Sequence, residues 1–346
     1  MAIITILGAG AMGSGLCTPL VDSGWEVRLW GTLLDDNLLD SCRNKVPHPR
    51  TKVRLADGVK LYSFEQLNEA LYGAEVVVMS VASAGVAKVT KMAIKEISKA
   101  KSLWLTSKGF GTDENGKIRL LPDLIREIAK GFNIEIPPIV AIAGPVKANE
   151  CADRKPTATI FGCKDLEVAK KYAREASTDV YRIEATDDEI GVEICAPMKN
   201  VYAIALGVSD GLEEATGFPH HNLKAATFSQ AVKEMSILGQ AMGAKAETAF
   251  GLAGVGDLEV TGLSGRNKFY GLRIGRGESA KEALFEMERL EQTVEGVPAA
   301  GLAKIFVEQS APEVKDKLAL LNAVNKILNE NGDPLKLIQE AVLPKL

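Results

Sequence analysis

The stretch Ile3-Ile4-Thr5-Ile6-Leu7-Gly8-Ala9-Gly10-Ala11-Met12-Gly13-Ser14-Gly15 decides how the first half of this 346-residue chain is read. Five residues, mostly β-branched, predict a short buried strand, and the glycines that follow predict a turn into a helix. Gly8 permits the tight turn, Gly10 leaves room for a pyrophosphate against the backbone, and Gly13 lets the helix pack on the strand. The amino end of that helix, at Ala11 and Met12, then faces the phosphates with free N–H groups. A lone G-x-G-x-x-G is weak evidence. Here it follows a strand pattern, and it precedes a helix ending near Ser23-Gly24 and a second strand over residues 26–30, which is the context a dinucleotide site requires. NAD-selective sites place Asp or Glu at the end of that second strand. This chain has Gly31-Thr32 there, with Asp35 and Asp36 later and read as solvated, so the cofactor is NAD or NADP.

Further strands are expected at residues 75–81, 103–107, 137–143, 157–162 and 180–183, each separated from the next by a helix-like or turn segment. Such alternation builds a parallel sheet with helices on both faces, and ligands bind beyond the carboxyl ends of its strands. Ser83 and Ser107-Lys108-Gly109 fall at those ends, and Gly144-Pro145 closes a strand on the same edge. From Asp187 the apolar period becomes helical, as at Val232, Met235, Leu238 and Met242 and again at Leu284, Met287 and Leu290. The expected architecture is therefore an α/β Rossmann-type amino-terminal domain over residues 1–185, followed by an all-α substrate and dimerisation domain over residues 186–346.

Totals narrow the function. A formal net charge of -4 with scattered lysines and arginines gives no basic footprint for a nucleic-acid partner. Five well-separated cysteines without a CxxC pair read as reduced thiols of a cytoplasmic protein, and three histidines without an i, i+4 pair imply no metal. No apolar run reaches membrane-spanning length, so no membrane insertion is expected.

The second half carries the polar residues that could do chemistry. Residues 193–211 are small and apolar apart from Lys199, whose helical neighbours include Cys195, Ala203, Leu206 and, further along the same face, Asp210. Desolvation lowers the pKa of such a lysine toward neutrality, where it can give or take a proton. Two glycine-rich polar segments lie between helices, at residues 216–224 and 251–267. The second contains a GxxxxG spacing, but Asp257-Leu258 stand where a P-loop needs Lys and Ser or Thr. It offers instead a carboxylate at Asp257 that could orient a lysine, a hydroxyl at Thr261, and a guanidinium at Arg266 that could clasp a phosphate.

Taken in order, Gly8-x-Gly10-x-x-Gly13, Ser107-Lys108-Gly109, Gly144-Pro145, Lys199-Asn200 with Asp210-Gly211, residues 254–258 with Thr261, Gly265-Arg266-Asn267, and Val294-Glu295-Gly296 resemble the NAD(P)-dependent glycerol-3-phosphate dehydrogenase family over residues 1 to about 305. The resemblance implies reversible reduction of dihydroxyacetone phosphate to sn-glycerol 3-phosphate, supplying the glycerol phosphate backbone of phospholipids, by a cytoplasmic homodimer. It implies Lys199 as general acid, with Lys108 and Asp257 as its catalytic companions. Asn200, Thr261, Arg266 and Asn267 would bind the substrate. Gly8, Gly10, Ala11, Met12, Gly13, Thr32, Ser83, Lys108, Ala148, Arg266 and Glu295 would hold the cofactor.

The chain departs from the family pattern near the substrate. Ala196-Pro197-Met198 replaces Gly-Ala-Leu before Lys199, and a proline within a helix tends to kink it. The segment Gly217-Phe218-Pro219-His220-His221-Asn222 is expanded by two imidazoles. A dehydrogenase acting on another small phosphorylated or carboxylated polyol, and a non-catalytic dinucleotide sensor, are the alternatives. The set Lys108, Lys199 and Asp257 argues against the sensor, which needs the glycine turn but no proton donor.

Overall fold

The computed structural model describes residues 1–344. Their contacts divide the chain into two compact units: Met1–Asn115 with Arg119–Glu193, and Gly116–Ile118 with Ile194–Leu346. The sequence pattern changes at 185, whereas the division falls between residues 193 and 194, inside a helix.

The first unit is built on strands β1 (Ile3–Leu7), β2 (Glu26–Trp30), β3 (Lys60–Tyr62), β4 (Val76–Met79) and β5 (Ser102–Leu105). A two-stranded ribbon of β6 (Phe110–Thr112) and β7 (Ile118–Leu120) follows, and then β8 (Ile139–Ala143), β9 (Thr157–Gly162) and β10 (Tyr181–Thr186). Among the described residues the main sheet runs β10-β9-β8-β5-β4-β1-β2-β3. All its pairings are parallel except β8 with β9, where Ala143 lies opposite Ile160. The expected all-parallel sheet thus needs one amendment. The chain leaves β8 through Gly144, at φ +124, passes one short helix at Ala148–Ala152 and returns alongside β8 in the opposite direction. The three-residue β3 has no sequence signature because none of its side chains is buried.

β4 shows why the strands read as continuous apolar runs. Val76 and Val78 pack with Ile4, Ile6 and Trp104 on one face, while Val77 and Met79 pack with Leu7, Leu103 and Leu105 on the other. Trp104 anchors the first face by edge contacts with Phe161 and Tyr172, centroids 5.0 Å and 5.4 Å away.

The second unit is helical. The helices that matter below are α2 (Glu189–Thr216), α3 (His221–Ala241), α4 (Asp257–Ser264), α5 (Arg266–Gly275), α6 (Gly296–Ser310) and α7 (Ala319–Glu330), α1 being Ala11–Asp22 in the first unit. α2 runs unbroken through Pro197. α2 and α5 meet backbone to backbone: Gly207-x-x-x-Gly211 faces Gly271-x-x-x-Gly275. A Cβ at Gly271 would stand 1.9 Å from Ile204 O, and one at Gly207 2.0 Å from Lys268 O. Only paired glycines at i, i+4 allow this approach, and it sets the position of the amino end of α5 relative to α2.

The segment 251–267 is helical rather than the loop its glycines suggest. A π-turn, Leu252–Gly256, leads directly into α4. A Cβ at Gly254 would lie 1.9 Å from Ala249 O, so glycine is what lets the wide turn close.

Candidate active site

The glycine turn has the form a dinucleotide demands. Gly8 holds φ +114, and a Cβ at Gly13 would stand 2.0 Å from Gly8 O, which fixes α1 against the turn. Gly10 caps α1 with no side-chain hydrogen bond, and no acidic residue lies in the first turn. The first N–H groups of α1, at Ala11, Met12 and Gly13, therefore remain for an anion. Ala148 packs its backbone on the same helix, since a Cβ at Gly15 would lie 2.6 Å from Ala148 O.

Thr32 and Asp35 correct one expectation. Asp35 is buried, not solvated: its Oδ2 accepts from the N–H of Thr32 at 2.9 Å, the hydroxyl of Thr32 at 2.8 Å and the N–H of Ala9 at 3.4 Å. The turn after β2 is thereby fastened to the glycine turn by a carboxylate four residues beyond the place where sequence patterns seek one.

The loops after β4 and β5 are bonded to each other. Thr106 Oγ1 donates to Ser80 Oγ at 2.9 Å, and Ser107 Oγ donates to Val81 O at 2.6 Å. Ser83 begins the helix Ser83–Ile97, and a Cβ at Gly109 would touch its Cβ at 2.5 Å, so only glycine can follow Lys108 here. Lys108 is half-buried and acts electrostatically on Glu193. Burial, reinforced by Glu189, holds the Glu193 carboxyl well above the usual carboxylate range, while Lys108 pulls the other way. Glu193 Oε2 has no hydrogen-bond partner among the described residues. Residue types gave no reason to single it out.

In the second unit, α2 and α4 deliver one buried ion pair. Lys199 Nζ meets Asp257 Oδ1, with the two residues 6% and 1% exposed. A carboxylate beside a buried ammonium favours its charged form, and desolvation opposes it. Asp210 is not part of this group. Eleven residues along a helix is ~16 Å, and Asp210 is bound instead to Lys224 at 2.7 Å and Lys268 at 2.9 Å. Burial alone would raise the Asp210 pKa, but the two lysines prevail and hold it below the usual range.

A polar chain extends from Lys199 through its neighbour. Asn200 Oδ1 accepts from Asn267 Nδ2 at 3.0 Å, and Asn267 Oδ1 accepts from Gly296 N at 2.8 Å. Asn200 Nδ2 donates to Glu295 Oε2 at 3.3 Å, and Glu295 Oε1 lies 3.6 Å from Arg266 Nη2. A Cβ at Gly296 would stand 2.4 Å from Asn200 O, so α6 can begin here only with glycine. Asn267 thus spends its carbonyl and one amide hydrogen inside the protein and keeps one N–H. Arg266, half exposed, is the member of the chain open to an anion. Thr261 Oγ1 donates to Asp257 O at 2.6 Å, which leaves the hydroxyl able to accept but not to donate.

His220 and His221 simply open α3, the first half-buried and the second exposed, and neither side chain hydrogen-bonds to Lys199, Asn200 or Asp257. Sequence reasoning missed two features beside the glycine turn, the staple at Asp35 and the buried His48. Two flanking prolines and a histidine in an otherwise charged loop were the available signal for the latter.

Comparison with known proteins gives this geometry a context. Models described as the NAD-dependent glycerol-3-phosphate dehydrogenase N-terminus and C-terminus match residues 3–169 and 188–339. The chain is 37% identical over 329 residues to an NADP(+)-dependent glycerol-3-phosphate dehydrogenase of Archaeoglobus fulgidus, covering 95% of each chain. It is 30% identical over 347 residues to a glycerol-3-phosphate dehydrogenase [NAD(P)+] of Lactobacillus delbrueckii, covering 99% of this chain and 97% of the other. Among solved structures, a glycerol-3-phosphate dehydrogenase of Coxiella burnetii superimposes with a TM-score of 0.83 at 30% identity, covering 98% of each chain.

Proposed function

The chain belongs to the NAD-dependent glycerol-3-phosphate dehydrogenase family, and from that membership we infer that it reversibly reduces dihydroxyacetone phosphate to sn-glycerol 3-phosphate with NAD(P)H, making the backbone on which phospholipids are built. The nicotinamide coenzyme, when bound, supplies the hydride. The residues present fit such a group: an uncapped helix start, a φ +114 glycine, and a turn in which Gly13 has no room for a side chain.

The observation that carries the catalytic reading is the buried Lys199–Asp257 pair. Reduction puts a hydride on the carbonyl carbon and a proton on its oxygen. In this reading Lys199 Nζ gives that proton, and Asp257 holds the ammonium in place and stabilises its charged form. Lys108 adds positive charge toward the oxygen as it becomes an alkoxide. Arg266 takes the substrate phosphate, exchanging its loose 3.6 Å contact with Glu295 for a bidentate one. Asn200 and Asn267 keep Lys199 and Arg266 in register, and Thr261 accepts a substrate hydroxyl. In the direction of oxidation Lys199 takes the proton back.

Residues 1–185 hold the dinucleotide and residues 186–346 the substrate in this account. We assign the chain to the cytoplasm, where its five buried free thiols would stay reduced. A homodimer would cover the exposed Phe250, Leu263 and Phe285 of the helical unit. Steady-state reduction of dihydroxyacetone phosphate with NADH and NADPH tests the activity. Turnover of the phosphorylated ketone supports the reading; no turnover with either coenzyme refutes it.

A further inference from the structure

Within the first unit, the start of α2 is fixed at two points. At Gly162, the last residue of β9, an added Cβ would stand 2.8 Å from Val192 Cγ2 and 3.1 Å from Asp188 O, so the helix start lies close against the strand end. Arg126, from the helix Leu121–Gly131, donates two 2.7 Å bonds to Glu189 and one of 3.1 Å to Asp123. Glu193 stands four residues beyond Glu189, ~6 Å along the same helix face. It is 2% exposed.

Glu193 is a carboxyl without the surroundings of a carboxylate. Its Oε2 is enclosed by protein, and no donor among the described residues reaches it. An ionised oxygen in such a place loses its water and gains no donor in return, so the side chain keeps its proton. The charges around it contend. Glu189 on the preceding turn and Asp123 on the neighbouring helix favour the neutral form, Lys108 and Arg126 favour the ionised one, and burial outweighs them all. Arg126 is already spent on Glu189 and Asp123, and Lys108 is the stronger of the two cations acting on Glu193.

The consequence falls on Lys108. That lysine lies just past the carboxyl end of β5, in a loop held by the Ser107 Oγ bond to Val81 O, and it is the cation turned toward the developing alkoxide in the dehydrogenase reading. A neutral Glu193 leaves its charge whole. An ionised Glu193 would cancel much of the field that Lys108 exerts on the oxygen, because in a low-dielectric site opposite charges offset one another over many ångströms. When the Glu193 proton leaves to solvent, the site turns from positive to nearly neutral.

We propose that Glu193 is a positioning residue for the reduction: it acts through Lys108, leaving the lysine's charge undiminished while its own carboxyl is protonated and cancelling that charge once ionised, which sets an upper pH limit on carbonyl reduction. This rests on the dehydrogenase reading above and adds to it a residue that works one step behind Lys108.

The pH dependence of kcat for dihydroxyacetone phosphate reduction tests it, in wild type and in Glu193→Gln, whose amide has nearly the same shape and no charge at any pH. Taking the ratio of the two removes the titration of Lys199, which both proteins share. The ratio of variant to wild-type kcat should rise by about tenfold between about pH 6 and about pH 9.5. In a Lys108→Met background the same substitution should give a ratio that stays flat within about threefold, which a merely structural role for Glu193 would not produce. Infrared spectra should show a carboxylic-acid band in wild type that is missing from Glu193→Gln and fades with kcat as pH rises. Glu193→Leu, also without charge, should repeat the rise should the amide variant fold poorly. A flat ratio in otherwise active enzyme, or a rise that persists without Lys108, would overturn the proposal. If wild type reduces the ketone with neither coenzyme, it is the dehydrogenase reading that fails, and the proposal falls with it.

Discussion

Replacing Gly271 by alanine probes whether the α2–α5 crossing holds the active site in register. The new Cβ would stand 1.9 Å from Ile204 O, and an unstrained C···O contact needs about 3.3 Å. The two helices must therefore part by ~1.4 Å, or the backbone must deform by as much. Overpacking on this scale costs about 3 kcal/mol of stability. The same displacement acts on the 3.0 Å bond between Asn267 and Asn200, because Asn267 begins the helix that moves and Asn200 follows Lys199 on the helix that stays. A misplacement of that size in catalytic groups costs about a hundredfold in rate. Gly301, inside α6, supplies the control. A Cβ there meets nothing within 4 Å, so Gly301→Ala should stabilise by ~0.5–1 kcal/mol and leave the rate alone. Urea unfolding and kcat/KM for dihydroxyacetone phosphate read both quantities. Gly271→Ala within ~0.5 kcal/mol of wild type, or destabilised with an unchanged rate, would show that the glycine contact does not position the site.

Asp257→Asn leaves the buried Lys199 ammonium without its counter-charge, so stability to urea should fall by about 3 kcal/mol and kcat by about a hundredfold. An unaffected kcat would remove Asp257 from the mechanism. Glu193→Gln bears on pH. Because the folded-state pKa is raised, wild-type stability is whole below the unfolded pKa of about 4.3 and declines as pH climbs toward the folded value, by about 1.4 kcal/mol per pH unit. The amide variant lacks that decline, so its advantage over wild type should widen as pH rises above about 5 in urea titrations, and a constant difference would mean Glu193 is ionised in the fold. Glu234 accepts the N–H groups of Leu320 and Leu321 at the start of α7 and the hydroxyl of Tyr202 at 2.9 Å. Glu234→Ala should cost about 3 kcal/mol with little change in KM, as judged by unfolding and kinetics in parallel.

Most of the first unit was legible because its strands are buried on both faces: Val76–Met79 leaves no polar residue to obscure the pattern, and the glycine turn has strict steric reasons for each glycine. The antiparallel β8–β9 pair was not, since strand direction is set by the path of a connection rather than by residue types. In the second unit Lys199 and Asp257 stood out as charges among apolar and small residues, and a carboxylate orienting a lysine was legible; the π-turn that leads into the helix carrying Asp257 was not, because glycine-rich sequence mimics a loop. Asp210 was grouped with Lys199 on helical face alone, and distance along the axis decides otherwise. Asp35 was read as solvated because its carboxylate reaches the glycine turn from a position four residues late. The contact of buried His48 with Ala9 O, at 3.0 Å, joins segments almost forty residues apart, which no local pattern reveals.

The most direct test concerns Lys199. In Lys199→Ala, kcat for dihydroxyacetone phosphate reduction should fall by about a thousandfold, while the dissociation constant of the coenzyme stays within about threefold of wild type. Retention of turnover within about tenfold of wild type, or loss of coenzyme binding in step with the rate, would contradict the assignment of this lysine as the proton donor.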